Sequence, residues 1–226
     1  MSLILSIETS SKNCSVSLSK DGVLLDCIEE NSESFSHGES LHVFCKKIIS
    51  ETNLSFSKID AFAFSEGPGS YTGLRIGAAA IKGFAFCFEK PVILISTLKA
   101  MAYAHKKRGV LSCPLMDSRK GEVYMALYDF NMKTLIAPHP HIISRPSLIP
   151  FLKQNKISFF GTGCEKLKQA LKHKNAHFIS DIVPSSKYLI ELAHFKYNQN
   201  NFADISNFEP LYLKEFIPTQ QKKNII

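Results

Sequence analysis

The residues best placed to do chemistry sit in one short stretch, Gly67-Pro68-Gly69-Ser70-Tyr71-Thr72-Gly73, between an apolar run and a helical one. A strand, a glycine-rich turn and a helix N-terminus together make an anion site. Backbone N–H groups and the helix dipole then point at one spot. The spacing fits neither familiar form of such a site. A P-loop needs Gly, four residues, then Gly-Lys-Ser/Thr, but the next lysine along this chain is Lys82, far down the helix. A dinucleotide fingerprint needs G-x-G-x-x-G, and Gly67, Gly69 and Gly73 are one residue too widely spread. Beyond the loop, Gly73, Gly77 and Ala80 recur at helical spacing and leave one stripe of the helix nearly bare. Such a stripe lets another helix approach closely, either from this chain's own core or from a partner. Leu74, Ile81, Phe84 and Phe88 supply apolar area for either.

Other reactive side chains are scattered. Cys14, Cys27, Cys45, Cys87, Cys113 and Cys164 form no C-x-x-C pair, which suits reduced and mostly buried thiols. Neither Cys nor His falls at zinc-ligand spacing, so no metal is expected. His37 and His42 straddle a helix start, and His139 and His141 flank Pro140; structural or solvated roles are expected for all of them.

The elements that must position the loop follow from periodicity. "LILSIET" (3–9), "CSVSLSK" (14–20) and "VLLDCIEEN" (23–31) read as a three-stranded meander, with Asp21-Gly22 a hairpin turn. Ser36 and Glu39 have capping-box spacing ahead of Leu41, Phe44, Cys45, Ile48 and Ile49, an apolar helical face. A strand at 60–66 leads into the glycine loop and a helix from about Thr72 to Phe88. The nearly all-apolar "PVILIST" (91–97) reads as a strand buried on both faces, and 98–107 as a helix. The second half opens again with strands, at 110–118, 122–130 and near 134–143. A short helix opened by Pro146, a strand then Gly turn at 157–163, and helices at 164–173 and 188–198 follow. The shared order predicts two related α/β halves joined near residues 98–110, divided as 1–100 and 101–226. The tail from Pro210 is expected either to fray or to pack back on the first half.

At 226 residues the chain can bury a sizeable core. Hydrophobic content of 45% and charged content of 21% are ordinary for a globular protein. No apolar run approaches the roughly 20 residues that span a bilayer, and "MSLILSIETS" reads as a first strand rather than an export signal. A cytoplasmic location without membrane contact is therefore expected. The net charge of +7 is compatible with RNA nearby. The basic residues are nevertheless dispersed and lack interleaved aromatics, as on a solvated surface.

"GPGSYTGLRIG" (67–77), set between a short strand and a small-residue helix, resembles the signature of the TsaB (YeaZ) family. "ILSIETSSKNCSVSL" (4–18) resembles that family's opening hairpin, "HGESL" (37–41) its helix start, "MDSRKGEVYMALYD" (116–129) its M-D-A-R-R-x-E-V-Y segment, and "EPLYLKEF" (209–216) its closing P-x-Y-L-R. These matches are collinear and cover most of the chain. Gly38, Lys120-Gly121 and Lys214 depart from the usual spellings.

The resemblance implies an actin-like, sugar-kinase-like ATPase fold of two α/β subdomains with mixed sheets. It also implies a part in making threonylcarbamoyl-adenosine in tRNAs that read codons starting with A. In that pathway a TsaD-like transferase performs the transfer, a TsaE-like ATPase joins the complex, and the TsaB-like chain is a non-catalytic partner and activator. It forms a homodimer when alone and meets tRNA only through the complex. The transferase relatives carry two metal-binding histidines four apart on a helix. Here the corresponding helix has only His105, with Met101 four residues before it.

The first phosphate loop of this fold usually reads D-x-G-T; here it reads Glu8-Thr9-Ser10-Ser11. The missing glycine hinders close approach of a phosphate, although the hydroxyls of Thr9, Ser10 and Ser11 remain as weak phosphate-loop candidates. No tightly bound cofactor is implied, only ATP or ADP held weakly at the interface with the partner. Gly67, Pro68, Gly69, Ser70, Tyr71, Thr72, Gly73, Arg75 and Gly77, with Leu41, Phe44 and Ile48, are the expected partner-interface or shared-nucleotide residues. Asp60 and Asp117 receive no role. Two alternatives stand beside this reading: a small-molecule kinase of the same fold, and a peptidase using Ser70 or Cys87, for which no histidine lies near in sequence.

Overall fold

A computed structural model describes residues 1–31, 37–144 and 147–214. The chain runs β1 (Leu3–Glu8), β2 (Asn13–Lys20), β3 (Val23–Asn31), α1 (His37–Glu51), β4 (Ala61–Gly67), α2 (Tyr71–Phe88), β5 (Val92–Ser96) and α3 (Thr97–Ala104). It continues with β6 (Val110–Asp117), β7 (Glu122–Tyr128), β8 (Thr134–Ile142), α4 (Ile149–Gln154), β9 (Lys156–Phe160), α5 (Cys164–Ala170), β10 (Ala176–Ile179) and α6 (Ile190–Asn198). Ser36 of the expected capping box and Pro146 at the expected start of a helix lie outside the described residues.

The ten strands form two sheets, β3-β2-β1-β4-β5 and β8-β7-β6-β9-β10. Numbered within its own half, each sheet has the same order. In each, the first three strands form an antiparallel meander, and the fourth and fifth add in parallel. The fold is thus one α/β unit built twice. The short β10 was not anticipated. Asp21 and Gly22 both take positive φ, 51° and 79°, the mirror-image turn that matches strand twist.

Alternation along the strands sorts the core. On β1 and β4, Leu5, Ile7, Phe62 and Phe64 face α1 and α2. Ile4, Ala61 and Ala63 face the other way, onto Leu189 and Ala193. In the second sheet, Leu115, Val123, Met125 and Phe159 pack with Leu152 and Leu167 of α4 and α5. Met116, Ala126, Tyr128 and Phe160 turn toward Leu98, Met101 and Ala102 of α3. Helix α3 follows the first sheet in sequence yet packs mainly on the second. Helix α6 follows the second sheet and packs on the first. This exchange interlocks the halves, and the expected division at 100/101 falls inside α3.

Candidate functional site

Four loops leave the carboxyl ends of the central parallel strands and meet between the sheets. They are the turn after β1, the glycine loop after β4, the turn after β6 and the loop after β9. The first pair and the second pair are equivalent by the internal duplication. They enclose a cleft of about 630 Å³. Ser10, Ser11, Lys12 and residues 68–71 line it from one half. Met116, Asp117, Ser118, Arg119, Tyr124 and Thr162 line it from the other, and residues 211–214 cross its rim. Open α/β sheets place ligand sites at this end.

The glycine loop owes its composition to the first turn. A Cβ on Gly69 would stand 2.6 Å from Ser10 Cβ, and Ser70 N–H donates to Ser10 O at 2.7 Å. A Cβ on Gly73 would run into the carbonyl oxygen of Thr9 and come within 3.1 Å of His37 Cδ2. One on Gly77 would strike the Thr9 hydroxyl and approach Phe64 Cε2 to 2.6 Å. The bare stripe therefore receives the β1–β2 turn of its own chain. This corrects the expectation that Gly73 and Gly77 offer a face to a partner. Leu41 and Ile48 are corrected likewise: both are fully buried in the core. Phe44 is partly buried against the same core.

Of the remaining interface candidates, Thr72 and Arg75 are exposed, Tyr71 is half-buried, and Gly67 is buried under the tail. The open face of α2 instead carries Ala79, Gly83, Phe86 and Cys87. Phe86 is 83% exposed, and nothing lies within 4 Å of a Cβ on Gly83. Helix α1 lies alongside, with His42 edge-on to Phe84 and Val43 exposed.

Ser10 and Ser11 line the cleft. Thr9 does not, because its hydroxyl is turned beneath Gly77. Glu8 is buried and staples the turn; Ser10 N–H donates to its Oε1 at 2.5 Å. Burial raises the Glu8 carboxyl above its usual range, and hydrogen bonds from Ser10, Ser65 and the Thr9 backbone offset this in part. His37 is buried and donates from Nε2 to Ser11 O at 2.7 Å, which sets its tautomer. Burial lowers its pKa, and the Ser11 bond partly opposes that.

Ser70 spends its hydroxyl as the cap of α2, accepting from Gly73 N–H at 3.2 Å, while Cys87 lies at the opposite end of that helix. Asp60 accepts from Leu3 N–H at 2.7 Å, and Asp117 pairs with Lys166. Met101 is fully buried, and His105 packs against Phe160 and Tyr188. Burial lowers the His105 pKa, helped by Lys107 and Lys187. Among the described residues, no three His, Cys, Asp or Glu side chains are grouped to hold a metal, and no helix is long and apolar enough to cross a membrane. Sequence reasoning missed the place of Tyr124, Leu211, Tyr212 and Lys214. The closing motif marked the last three, but nothing in its spelling said that it returns to the glycine loop.

Two duplicated α/β lobes with a cleft at their strand ends define the actin-like, sugar-kinase-like class. The family model described as TsaD, tRNA N6-adenosine threonylcarbamoyltransferase, matches residues 31–200. The tRNA threonylcarbamoyladenosine biosynthesis protein TsaB of Haemophilus influenzae is 30% identical, over 93% of each chain. Its namesake in Escherichia coli is 27% identical, over 93% of this chain and 94% of that one. The solved structure of YeaZ from Pseudomonas aeruginosa superposes with a TM-score of 0.78 at 25% identity, covering 94% of this chain and all of that one. This chain belongs to the TsaB (YeaZ) family, within the wider group that the transferase model describes.

Proposed function

We propose that this chain is the non-catalytic partner and activator of a TsaD-like transferase in forming N6-threonylcarbamoyladenosine in tRNA. One observation carries the reading: the open face of α2 joins small residues, Ala79 and Gly83, to the exposed ring of Phe86. Small residues let a partner helix approach, and an exposed aromatic gives it area to bury. The cleft supports the same reading. Its first-turn carboxylate, Glu8, is buried and hydrogen-bonded away from the opening, and Asp117 is held by Lys166. The helix that would need two histidines has a core methionine in one of the places.

The same face serves a homodimer when the transferase is missing, so the two assemblies compete. A TsaE-like ATPase joins the complex, and ATP or ADP is held weakly where the subunits meet. The test is co-expression with the organism's TsaD-like protein. Ala79→Arg and Phe86→Asp should each reduce co-purification and threonylcarbamoyladenosine formation at least tenfold while preserving the circular dichroism spectrum. An intact heterocomplex with both variants sinks the docking face. Full modification without this chain sinks the activator role.

A further inference from the structure

The chain passes between the two halves three times among the described residues. The passage into α3 is packed on both sheets. The second, at residues 184–187, is a buried polar seam: Ser15 Oγ lies 2.6 Å from Ser186 Oγ, Asn13 Nδ2 donates to Pro184 O at 2.9 Å, and Ser185 Oγ donates to Glu29 at 2.6 Å. Neither can part without breaking core contacts. The third passage, residues 210–214, is different. It lies half-buried across the rim of the cleft and forms part of its wall.

Its attachments fall on both halves. Leu211 N–H donates to Glu66 O, at the end of β4, at 2.7 Å. Leu211 O passes 3.3 Å from the place of a Cβ on Gly67, whose φ of +110° favours glycine. The Tyr212 ring rests 5.0 Å from that of Tyr71, at the start of α2. Arg75 lies 4.3 Å over the other ring of this pair and donates from Nε to Tyr212 Oη at 3.4 Å. On the far side, the Lys214 ammonium pairs with the Glu122 carboxylate of β7.

We propose that residues 210–214 are a latch, tied to the glycine loop of one half and to β7 of the other. While closed, it fixes the width of the cleft and covers the entry to α2. Its release lets the cleft widen and bares Tyr71 and the glycine loop without unfolding either sheet. Each tie is an ordinary rim contact, and rim ion pairs are individually weak. The latch therefore holds through their sum and opens locally, as low-stability segments do. This role is independent of which partner the α2 face receives.

Hydrogen–deuterium exchange on the full chain tests it. Lys214→Glu and Leu211→Pro should each speed exchange at least tenfold in a peptide covering 68–73, with β1, β4 and β7 unchanged. The charge swap Lys214→Glu with Glu122→Lys should restore protection. Unchanged exchange in both single variants overturns the latch. So does acceleration that spreads into β1 and β4, or a swap that fails to restore.

Discussion

At Gly77 and Gly83 the same residue type does opposite work. Gly77 is buried, and any Cβ there meets the Thr9 hydroxyl and the Phe64 ring. Gly77→Ala should destabilise by about 1–3 kcal/mol, the usual cost of overpacking. Gly83 is exposed in the same helix with open space around it, so Gly83→Ala should stabilise by about 0.4–1 kcal/mol through a less flexible unfolded chain. Urea denaturation of the two variants checks the pair; equal effects would place the glycine stripe wrongly. His37 gives a pH test. Its folded pKa lies below the ordinary 6.5, burial being the cause. The unfolded chain thus binds the proton first. Stability is full above 6.5 and falls as the pH drops through 6.5 toward the folded value. His105 acts in the same sense, so His37→Gln should shrink, not abolish, the loss of stability between pH 8 and pH 5.5. An undiminished loss would show that His37 is not the titrating group.

Helix α2 depends on the loop that feeds it. Ser70 caps it through Gly73 N–H while the Ser70 backbone N–H reaches back to Ser10. Ser70→Ala should cost about 1 kcal/mol, the common value for a lost cap. The same substitution should loosen the first turn of α2 in amide exchange, and protection unaltered there would argue that the backbone bond alone holds the entry. The other elements show how local pattern and tertiary placement divide. The apolar period of α1 was visible in Leu41, Cys45, Ile48 and Ile49, all now buried. The part taken by α3 was not, since Leu98 and Met101 pack on a sheet whose strands come later in the chain.

For the whole molecule the controlling fact is duplication without sequence repetition. Two sheets with one strand order place two equivalent turns, at 8–12 and 117–121, on either side of one cleft. The exchange of α3 and α6 ties the halves together at the back, and residues 210–214 close the front. The docking variants Ala79→Arg and Phe86→Asp act on a face outside this cleft. They should leave its closure untouched, just as latch variants should leave the α2 face intact.

The sequence by itself determined the family, through five collinear motifs, and the two-half α/β order, through strand and helix periods. It also placed Ser10 and Ser11 in a hydroxyl turn and Gly67–Gly73 at a helix entry. Only the tertiary structure decided what the glycine stripe faces. A helical period says which residues share a face, and here the occupant, Thr9, lies 64 positions before Gly73 in sequence. A return of the tail to the first half was one of two expectations, but the same limit hid the particular contact, Leu211 on Glu66. Both contacts arise from chain closure over long separations, and no local propensity encodes them.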